Sequence, residues 1–351
     1  MGGPTVKSVR QSRWLIVVLI GLLTISLYIP LPYYVTRPGS AMELSPIISV
    51  EGGKKDEKGA FMLTTVRMGQ ANIAWYVYSK FSPDAELIDR DLVLNKGESN
   101  EDYTKRELGV MQDSQMTAEA MAFRRAGYPV KIQKLGVLVN GTLEGMPAAK
   151  VLKVGDIITQ VDDKRITDTN ELFAALANKK AGDTIALTYL RDKQEQKASL
   201  TLVELPADTG QKARPGFGIR PADKTLIEVP KKVNINSENI GGPSAGLMFT
   251  LEIYDQLRPD IDLTKGYRIA GTGTINPDAT IGRIGGINHK IIAAQNAGAE
   301  IFFAPDDSDA PVSNYQEALA TAKRVGAKMK IVPVKKLDDA LVYLESLTPK
   351  Q

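Results

Sequence analysis

Ser244 is the residue whose surroundings best suit a nucleophile. It lies between Gly241-Gly242-Pro243 and Ala245-Gly246, where an apolar helix, LMFTLEIYDQL, is predicted to begin. Small flanking residues let a substrate backbone come close, and free amide groups at a helix start can face a developing oxyanion. We take the backbone amides of Gly242 and Ser244 as candidate oxyanion donors, since Pro243 has no N–H. A serine here is also an ordinary helix cap, and the segment alone does not decide between the two.

Lys290 is the candidate general base. It follows Gly285-Gly286 on a predicted helix, INHKIIAAQNAGA, and lies 46 residues after Ser244 (290 − 244). A buried lysine loses proton affinity and can then accept the proton of a serine hydroxyl. His289 is the competing base, but adjacent helical positions point about 100° apart, and Lys290 is the one that shares the apolar, inward stripe of this helix. By position alone, a solvated surface lysine remains an open alternative.

Composition excludes several other classes of function. The 351 residues contain 44 Lys and Arg against 41 Asp and Glu, too even a balance to indicate a nucleic-acid partner. Cysteine is absent and histidine occurs once, so neither a thiolate nucleophile nor a protein zinc site is expected. The chain has no GxxxxGK[ST] phosphate loop. We therefore predict no cofactor and no metal.

The N-terminal segment is predicted to anchor the chain in a membrane. No charged residue occurs between Arg13 and Arg37, and the run from Trp14 to Ile29 is almost wholly apolar. About 20 such residues span a bilayer as a helix. Basic residues precede the run and tyrosines follow it, which predicts a cytoplasmic N-terminus at residues 1–13, a transmembrane helix at 14–34 and an extracellular remainder. A cleaved signal peptide is the alternative, although the run exceeds the roughly 7 to 15 apolar residues of a signal core.

The rest of the chain divides into three parts. Residues 35–125 contain SPIISVEG and GAFMLTTVRM, which predict a β-hairpin, followed by an amphipathic helix that ends at Gly127. Residues 126–205 consist of short β runs with one helix. Residues 206–351 alternate strands with helices, which predicts a sheet covered by helices and a mixed α/β fold class.

The β-rich part, 126–205, resembles a PDZ domain of the bacterial protease-associated type. The resemblance rests on LGVLV with its Gly136, on MPAA at 146–149, on VGDII at 154–158 and on the helix ELFAALAN. A PDZ domain binds a peptide as an added strand along an open sheet edge. The resemblance implies that this edge, with Gly136 near a substrate carboxylate, is formed by Leu135, Gly136, Val137, Leu138 and Val139. A β-rich spacer that binds nothing is the alternative.

The two segments around Ser244 and Lys290 resemble the catalytic motifs of the Lon protease domain. GPSAG at 242–246 matches the nucleophile motif, and GGINHK at 285–290 matches the lysine motif. With the anchor, the PDZ-like part and YVTRPGS at 34–40, the chain looks like the PDZ-containing, membrane-anchored Lon-like proteases of Gram-positive bacteria, of the pheromone-processing type. The resemblance implies a proteolytic domain split into residues 35–125 and 206–351, with the PDZ-like part inserted. It also implies that Thr272 holds the catalytic lysine, with Thr274 as a near neighbour.

Two departures from Lon affect the expected activity. The ATP-driven unfolding domain of Lon is missing, so the protein is expected to need no ATP and to take flexible peptides, unfolded chains or exposed termini. Lon also carries an acidic residue two positions before the motif proline, where this chain has Gly241.

The sequence therefore predicts a membrane-anchored serine endopeptidase with a Ser244–Lys290 dyad. Its partners would be extracytoplasmic peptides or unfolded proteins, among them secreted peptide signals, and the membrane. Lon-like domains often form rings, so the resemblance also permits a homo-oligomer. The alternative is a membrane-tethered PDZ scaffold with an inactive protease-like domain.

Overall fold

The computed structural model describes residues 26–350 apart from 56–57, 96, 206–213, 239 and 308–310, together with the single residues 14, 17, 18, 21 and 24. The strands are β1 (Pro30–Glu43), β2 (Ile48–Val50), β3 (Ala60–Asn72), β4 (Glu86–Asp89), β5 (Lys131–Thr142), β6 (Ile157–Val161), β7 (Lys164–Arg165), β8 (Thr184–Arg191), β9 (Gln194–Thr201), β10 (Val203–Leu205), β11 (Arg214–Gly216), β12 (Ile219–Glu228), β13 (Val233–Ile235), β14 (Arg268–Gly271), β15 (Thr274–Ile275), β16 (Ile281–Gly282), β17 (Ile301–Pro305) and β18 (Lys330–Val334). The helices are α1 (Ile73–Phe81), α2 (Arg90–Val93), α3 (Asn100–Arg125), α4 (Thr169–Leu176), α5 (Gly246–Leu257), α6 (Ile287–Asn296), α7 (Asn314–Val325) and α8 (Leu337–Ser346).

A mixed sheet forms the centre of the larger unit. Its strand order is β18-β17-β14-β3-β1-β4. The strands β3, β14, β17 and β18 are parallel neighbours, whereas β1 is antiparallel to both β3 and β4. Parallel neighbours need a crossover connection, and α6 and α7 provide it between β14, β17 and β18.

Helices cover both faces of this sheet, because side chains alternate between the faces along each strand. Phe61 and Leu63 of β3 belong to the core that includes α3, α5 and α8. Ala60 and Met62 face the other way, into the core that includes α6 and α7. Strands from both halves of the chain share the sheet, and the mixed α/β prediction is confirmed.

The inserted unit is a separate β-rich structure with its own core. Its sheet has the order β12-β5-β6-β8-β9, with β7 paired to β6, and α4 packs against it. Because β12 pairs with β5 from Ile219 to Glu228, this unit includes residues beyond 205, where the sequence predicted its end. Phe217, which precedes β12, is buried in the same core.

The predicted hairpin between the first two β segments does not form. β2 pairs with β13, through Ile48 with Ile235 and Val50 with Val233. β3 pairs instead with β1 and β14. The two segments therefore take partners from distant parts of the chain.

The N-terminal anchor lies largely outside the described residues. The last part of the predicted span, Pro30–Tyr34, is instead the beginning of β1, and Tyr34 is buried there at 5% exposure. Within the described residues, no helix is both long and apolar enough to cross a bilayer.

Candidate active site

Ser244 lies in the turn that leads into α5, and its side chain does not cap the helix. The N-cap position is Ala245, and no side chain makes a capping hydrogen bond there. The hydroxyl of Ser244 is instead 3.0 Å from Nζ of Lys290. The ordinary helix-cap explanation of this serine is therefore wrong.

Lys290 is buried on the first turn of α6, with 4% of its surface exposed. Its Nζ contacts two groups: it donates to the backbone carbonyl of Thr64 at 2.7 Å and lies 3.0 Å from Ser244 Oγ. Burial disfavours the charged amine and lowers the pKa of Lys290 to about 7. A substantial fraction is then neutral at physiological pH, and in that form the nitrogen lone pair can accept the serine proton.

Gly286 lets α6 begin close against β3. Its φ of 67° is in the left-handed region, and a Cβ at this position would lie 3.0 Å from Cγ2 of Val66. Any larger residue would push the start of α6 away from the strand. The second glycine of the pair thus helps to fix the distance between Lys290 and the carbonyl of Thr64.

Thr272 contacts the serine rather than the lysine. Its side chain is fully buried, and its hydroxyl donates to the backbone carbonyl of Ser244 at 2.9 Å. The amide of Gly273 donates to the same oxygen at 2.9 Å. Lys290 is held instead by the backbone carbonyl of Thr64. This contact could not be predicted from the sequence, because every residue type has a backbone carbonyl.

One of the two predicted oxyanion donors is already occupied. The amide of Gly242 donates to the backbone carbonyl of Glu107 in α3 at 3.0 Å. Among the described residues, the amide of Ser244 has no acceptor, so it remains a candidate donor. Ser114, also in α3, donates to the carbonyl of Pro243 at 3.0 Å, and α3 therefore holds the turn that carries Ser244.

The sequence did contain one signal for Ser114. In α3, Met111, Ser114, Ala118 and Met121 are buried at helical spacing. A hydroxyl within an otherwise apolar stripe needs a partner when it is buried. The carbonyl of Pro243 is that partner.

His289 is fully buried beside Lys290 but does not contact Ser244. Its Nε2 lies 3.1 Å from Oγ1 of Thr36 and 3.8 Å from a carboxylate oxygen of Glu86. Burial lowers the pKa of His289, while the charge of Glu86 opposes that effect. Both residues are therefore inward, contrary to the expectation that only Lys290 is, but the hydrogen bond to the serine is made by the lysine.

A cleft of about 650 Å³ runs past the Ser244–Lys290 pair. β14 pairs with β3 only as far as Leu63. Beyond that residue, no described strand pairs with this side of β3, and the cleft lies there. Apolar side chains, including Met42, Leu108, Met111 and Ile240, line much of the cleft. An extended peptide could lie here beside β3, as an added strand does at an open sheet edge.

The predicted PDZ peptide edge is not open. β5, which contains Leu135, Gly136, Val137, Leu138 and Val139, pairs with β12 on one side and with β6 on the other. Gly136 is needed for this packing, because a Cβ there would lie 2.4 Å from the carbonyl oxygen of Ile158. The edge strand next to β5 is β12, which was not part of the predicted module.

A groove of about 150 Å³ lies between α4 and the start of β12. Phe173 and Leu176 of α4 line one side, and Phe217, Gly218 and Ile219 line the other. This apolar groove beside an open strand edge fits an extended peptide. The sequence signal that could have found it is GFGI at 216–219, a small, apolar segment at the start of a strand.

Comparison with protein families finds two domains, although the matched ranges differ from the two structural units at their boundaries. Residues 111–202 match the model of the PDZ domain, and residues 226–346 match the model of the Lon protease (S16) C-terminal proteolytic domain. The chain is thus a mixed α/β protein that combines a PDZ domain with a Lon-type proteolytic domain. The latter match contains Ser244, Thr272 and Lys290.

Similarity to individual proteins is partial. The chain is 38% identical over 74 residues to the serine protease Do-like HtrA of Lactococcus lactis, which is 21% of this chain and 18% of that protein. It is 27% identical over 156 residues to Lon protease of Metamycoplasma arthritidis, which is 44% of this chain and 17% of the relative. A solved PDZ domain of an SdrC-like protein from Listeria monocytogenes matches 26% of this chain and 92% of its own, with 31% identity and a TM-score of 0.24. The chain spans less than a fifth of the length of the HtrA and Lon relatives.

Proposed function

We propose that this protein is a serine endopeptidase in which Ser244 is the nucleophile and Lys290 is the general base. The observation that carries the proposal is the 3.0 Å contact between Ser244 Oγ and Nζ of a lysine that is buried and has a pKa of about 7. A hydroxyl nucleophile needs a neighbouring base that is unprotonated near working pH. The match of residues 226–346 to the Lon proteolytic domain supports the same reading.

The reaction follows from these contacts. Neutral Lys290 takes the proton of Ser244 Oγ, which bonds to the carbonyl carbon of the substrate, and the backbone amide of Ser244 stabilises the oxyanion. The lysine then gives its proton to the leaving amine as the peptide bond breaks. Water, deprotonated by Lys290, attacks the acyl carbon, the bond from that carbon to Ser244 Oγ breaks, Lys290 returns its proton to Oγ, and the carboxylate product leaves. Throughout, Thr64 holds the amine through its carbonyl, and Thr272 holds the serine backbone.

Peptides and unfolded chains are the substrates that suit this cleft. A peptide must be extended to lie beside the open side of β3, and a folded protein offers few such segments. No ATP is required in this proposal, because flexible substrates need no unfolding. The groove beside β12 would bring substrate by binding a second extended segment.

A membrane anchor at the N-terminus completes the proposal. The run Trp14–Ile29 is almost wholly apolar, and its described side chains Trp14, Val17 and Tyr28 are 72%, 66% and 80% exposed. Side chains of this kind suit lipid, and the basic residues before the run favour a cytoplasmic N-terminus. The cleft would then face the outside of the cell, where peptides such as secreted signals are its substrates. The test is extraction of membranes at alkaline pH: the full chain should stay in the pellet, whereas a chain starting at residue 26 should not.

The activity is tested with the full chain in detergent, an unfolded protein substrate and no ATP. Wild type should produce fragments, whereas Ser244→Ala and Lys290→Ala should produce almost none while remaining folded, as judged by a cooperative thermal unfolding transition. Substantial cleavage by either variant would refute the dyad. Intact substrate in every sample, including one that carries a peptide tail for the groove, would favour a tethered PDZ scaffold instead.

A further inference from the structure

The carboxylate of Glu107 lies beside the turn that carries the nucleophile. Its backbone carbonyl accepts the Gly242 amide at 3.0 Å, and its Cβ is 2.8 Å from the position that a Cβ at Gly241 would occupy. Its carboxylate oxygen Oε2 lies 3.4 Å from the corresponding position at Gly242. Glu107 also lines the cleft that contains Ser244. This carboxylate therefore lies in the cleft, beside the two residues that come just before Pro243 and Ser244.

Only one oxygen of this carboxylate is used inside the protein. Oε1 accepts a hydrogen bond from Arg106 at 2.7 Å, whereas Oε2 has no donor among the described residues. Arg106 is itself held on its other side by Glu98, through bonds of 2.8 Å and 3.2 Å. The three charges leave a net negative charge, and the free oxygen is on the residue that lines the cleft.

The cleft around Ser244 is otherwise poor in positive charge. Its lining includes the carboxylates of Glu86 and Glu107, and Lys290 is its one lysine or arginine among the described residues. Lys290 is partly neutral near its pKa of about 7, and burial lowers the pKa of His289 as well. Apart from Arg106, which Glu107 shares with Glu98, the half-buried Glu107 has little positive charge around it in the cleft.

The side chain of Glu107 is not needed to hold the nucleophile turn. The hydrogen bond to Gly242 comes from the backbone carbonyl, which every residue type would supply. A role for the carboxylate must therefore be sought in Arg106 or in a ligand of the cleft. Arg106 is already bound by Glu98 and takes only one oxygen of Glu107. The second carboxylate oxygen of Glu107, Oε2, is therefore available to a ligand.

We propose that Glu107 selects substrates that carry a lysine or arginine next to the scissile bond. This inference rests on the endopeptidase activity proposed above and names its substrate class, a basic peptide. A partly desolvated carboxylate binds a cationic side chain through a charge-assisted hydrogen bond, which is stronger than a neutral one. A substrate with an apolar side chain of similar length loses that bond.

The test maps cleavage sites in an unfolded protein by mass spectrometry and then measures kcat/KM with matched peptides. Each pair of peptides differs only in lysine against norleucine next to the cut. Wild type should prefer lysine by about tenfold or more. Glu107→Gln should bring the ratio of kcat/KM for the lysine peptide to kcat/KM for the norleucine peptide down to about one, because the amide keeps an acceptor for Arg106 but carries no charge.

The matched control is Glu101→Gln. Glu101 is on the same helix, but its side chain is 78% exposed and pairs with Lys105 away from the cleft. This variant should keep the full preference for lysine. Glu86→Gln should keep it as well, if Glu107 is the carboxylate that contacts the residue next to the cut.

Different failures have different meanings. Cleavage by wild type without enrichment of basic residues, or an unchanged preference in Glu107→Gln, would overturn this inference and leave the endopeptidase intact. A preference lost in Glu86→Gln alone would also overturn the assignment to Glu107. No cleavage of any substrate by wild type would refute the endopeptidase and this inference with it.

Discussion

The protonation state of Lys290 should control the pH dependence of the enzyme. Its amine works as a base only when it is neutral, and its pKa is about 7 because the side chain is buried. Raising the pH through 7 therefore increases the active fraction, and lowering it protonates the amine. We expect kcat/KM to rise with pH around a midpoint of about 7 and then to reach a plateau.

A pH profile of kcat/KM with one neutral peptide measures this directly. A neutral substrate is needed, because Glu107 and a basic substrate would add their own titrations. His289 has a lowered pKa as well, so His289→Gln serves as the control and should leave the midpoint in place. A midpoint that moves in this variant, or activity that falls as pH rises through 7, would contradict the assignment of Lys290 as the base.

At the scale of single residues, the sequence predicted that Ser244 and Lys290 lie together, as they do at 3.0 Å, but not the groups that hold them. The pair was predicted from the resemblance of GPSAG and GGINHK to the Lon motifs, because each segment alone also allowed a helix cap or a surface lysine. The hydrogen-bond partners of Thr272 and Gly242 were predicted wrongly. Thr272 donates to the backbone carbonyl of Ser244, and the amide of Gly242 donates to a backbone carbonyl of the distant helix α3. A sequence pattern marks side-chain types, whereas these bonds depend on which backbone groups the fold brings together.

The long helix α3 positions the nucleophile turn, although it lies more than a hundred residues earlier in the chain. Its carbonyl at Glu107 accepts from Gly242, and its hydroxyl at Ser114 donates to Pro243. These two bonds flank the turn just before Ser244. A small displacement of a catalytic group can cost much of the rate, so the proposed dyad requires that α3 keep this turn in place.

Replacing Ser114 with alanine should therefore lower kcat more than it changes KM. The substitution removes one of the two donors to the carbonyl of Pro243, the other being the amide of Gly246 at 3.2 Å, and we expect a cost of about 1 kcal/mol of stability. Thr117→Ala is the control, since the Thr117 hydroxyl donates to Asp113 within the same helix and does not reach the turn. Thermal unfolding and steady-state kinetics of both variants give the comparison. A Ser114→Ala enzyme with normal kcat would show that the turn is held without this bond.

The strand β1 gives a second prediction for an element, because it starts earlier than the sequence indicated. Tyr34 and Val35 are buried between β3 and β4, at 5% and 4% exposure. A chain that starts at residue 36 loses both side chains, whereas one that starts at residue 26 keeps them. We expect the shorter chain to lose about 3 kcal/mol or more in free energy of unfolding. Urea unfolding of the two chains measures this difference, and equal stabilities would show that this part of β1 contributes nothing to the sheet.

The elements that sequence patterns missed are those whose partners are far away in the chain. SPIISVEG and GAFMLTTVRM were correctly recognised as β-forming, yet the first pairs with β13 and the second with β1 and β14. Local propensity predicts that a segment is extended, but strand pairing depends on the whole sheet. Likewise, β12 was left out of the PDZ module because it follows the rest of that module after residues 206–213.

The whole molecule connects the peptide groove to the catalytic turn through α3. Lys224 of β12, the strand at the groove, forms a 2.6 Å ion pair with Asp113 of α3. The next residue of that helix, Ser114, holds the carbonyl of Pro243. The two surfaces proposed to bind peptide are therefore on elements that contact one another, and one substrate chain could engage both.

If the groove brings substrate to the cleft, damage to it should affect only substrates that reach it. Gly218 lines the groove at a φ of 84°, and a Cβ there would lie 2.3 Å from Cβ of Met146, so Gly218→Ala should deform the start of β12. We expect KM for an unfolded protein to rise at least tenfold, which corresponds to the loss of about one hydrogen bond or more between the groove and the substrate. For a short peptide that does not reach the groove, kcat/KM should not change. Gly145→Ala is the matched control, because Gly145 also has a positive φ, 77°, but no atom within 4 Å of its added Cβ. If both variants lose activity equally on both substrates, the substitutions affect folding and the groove does not recruit substrate. If neither variant changes KM for the unfolded protein, the cleft alone binds that substrate.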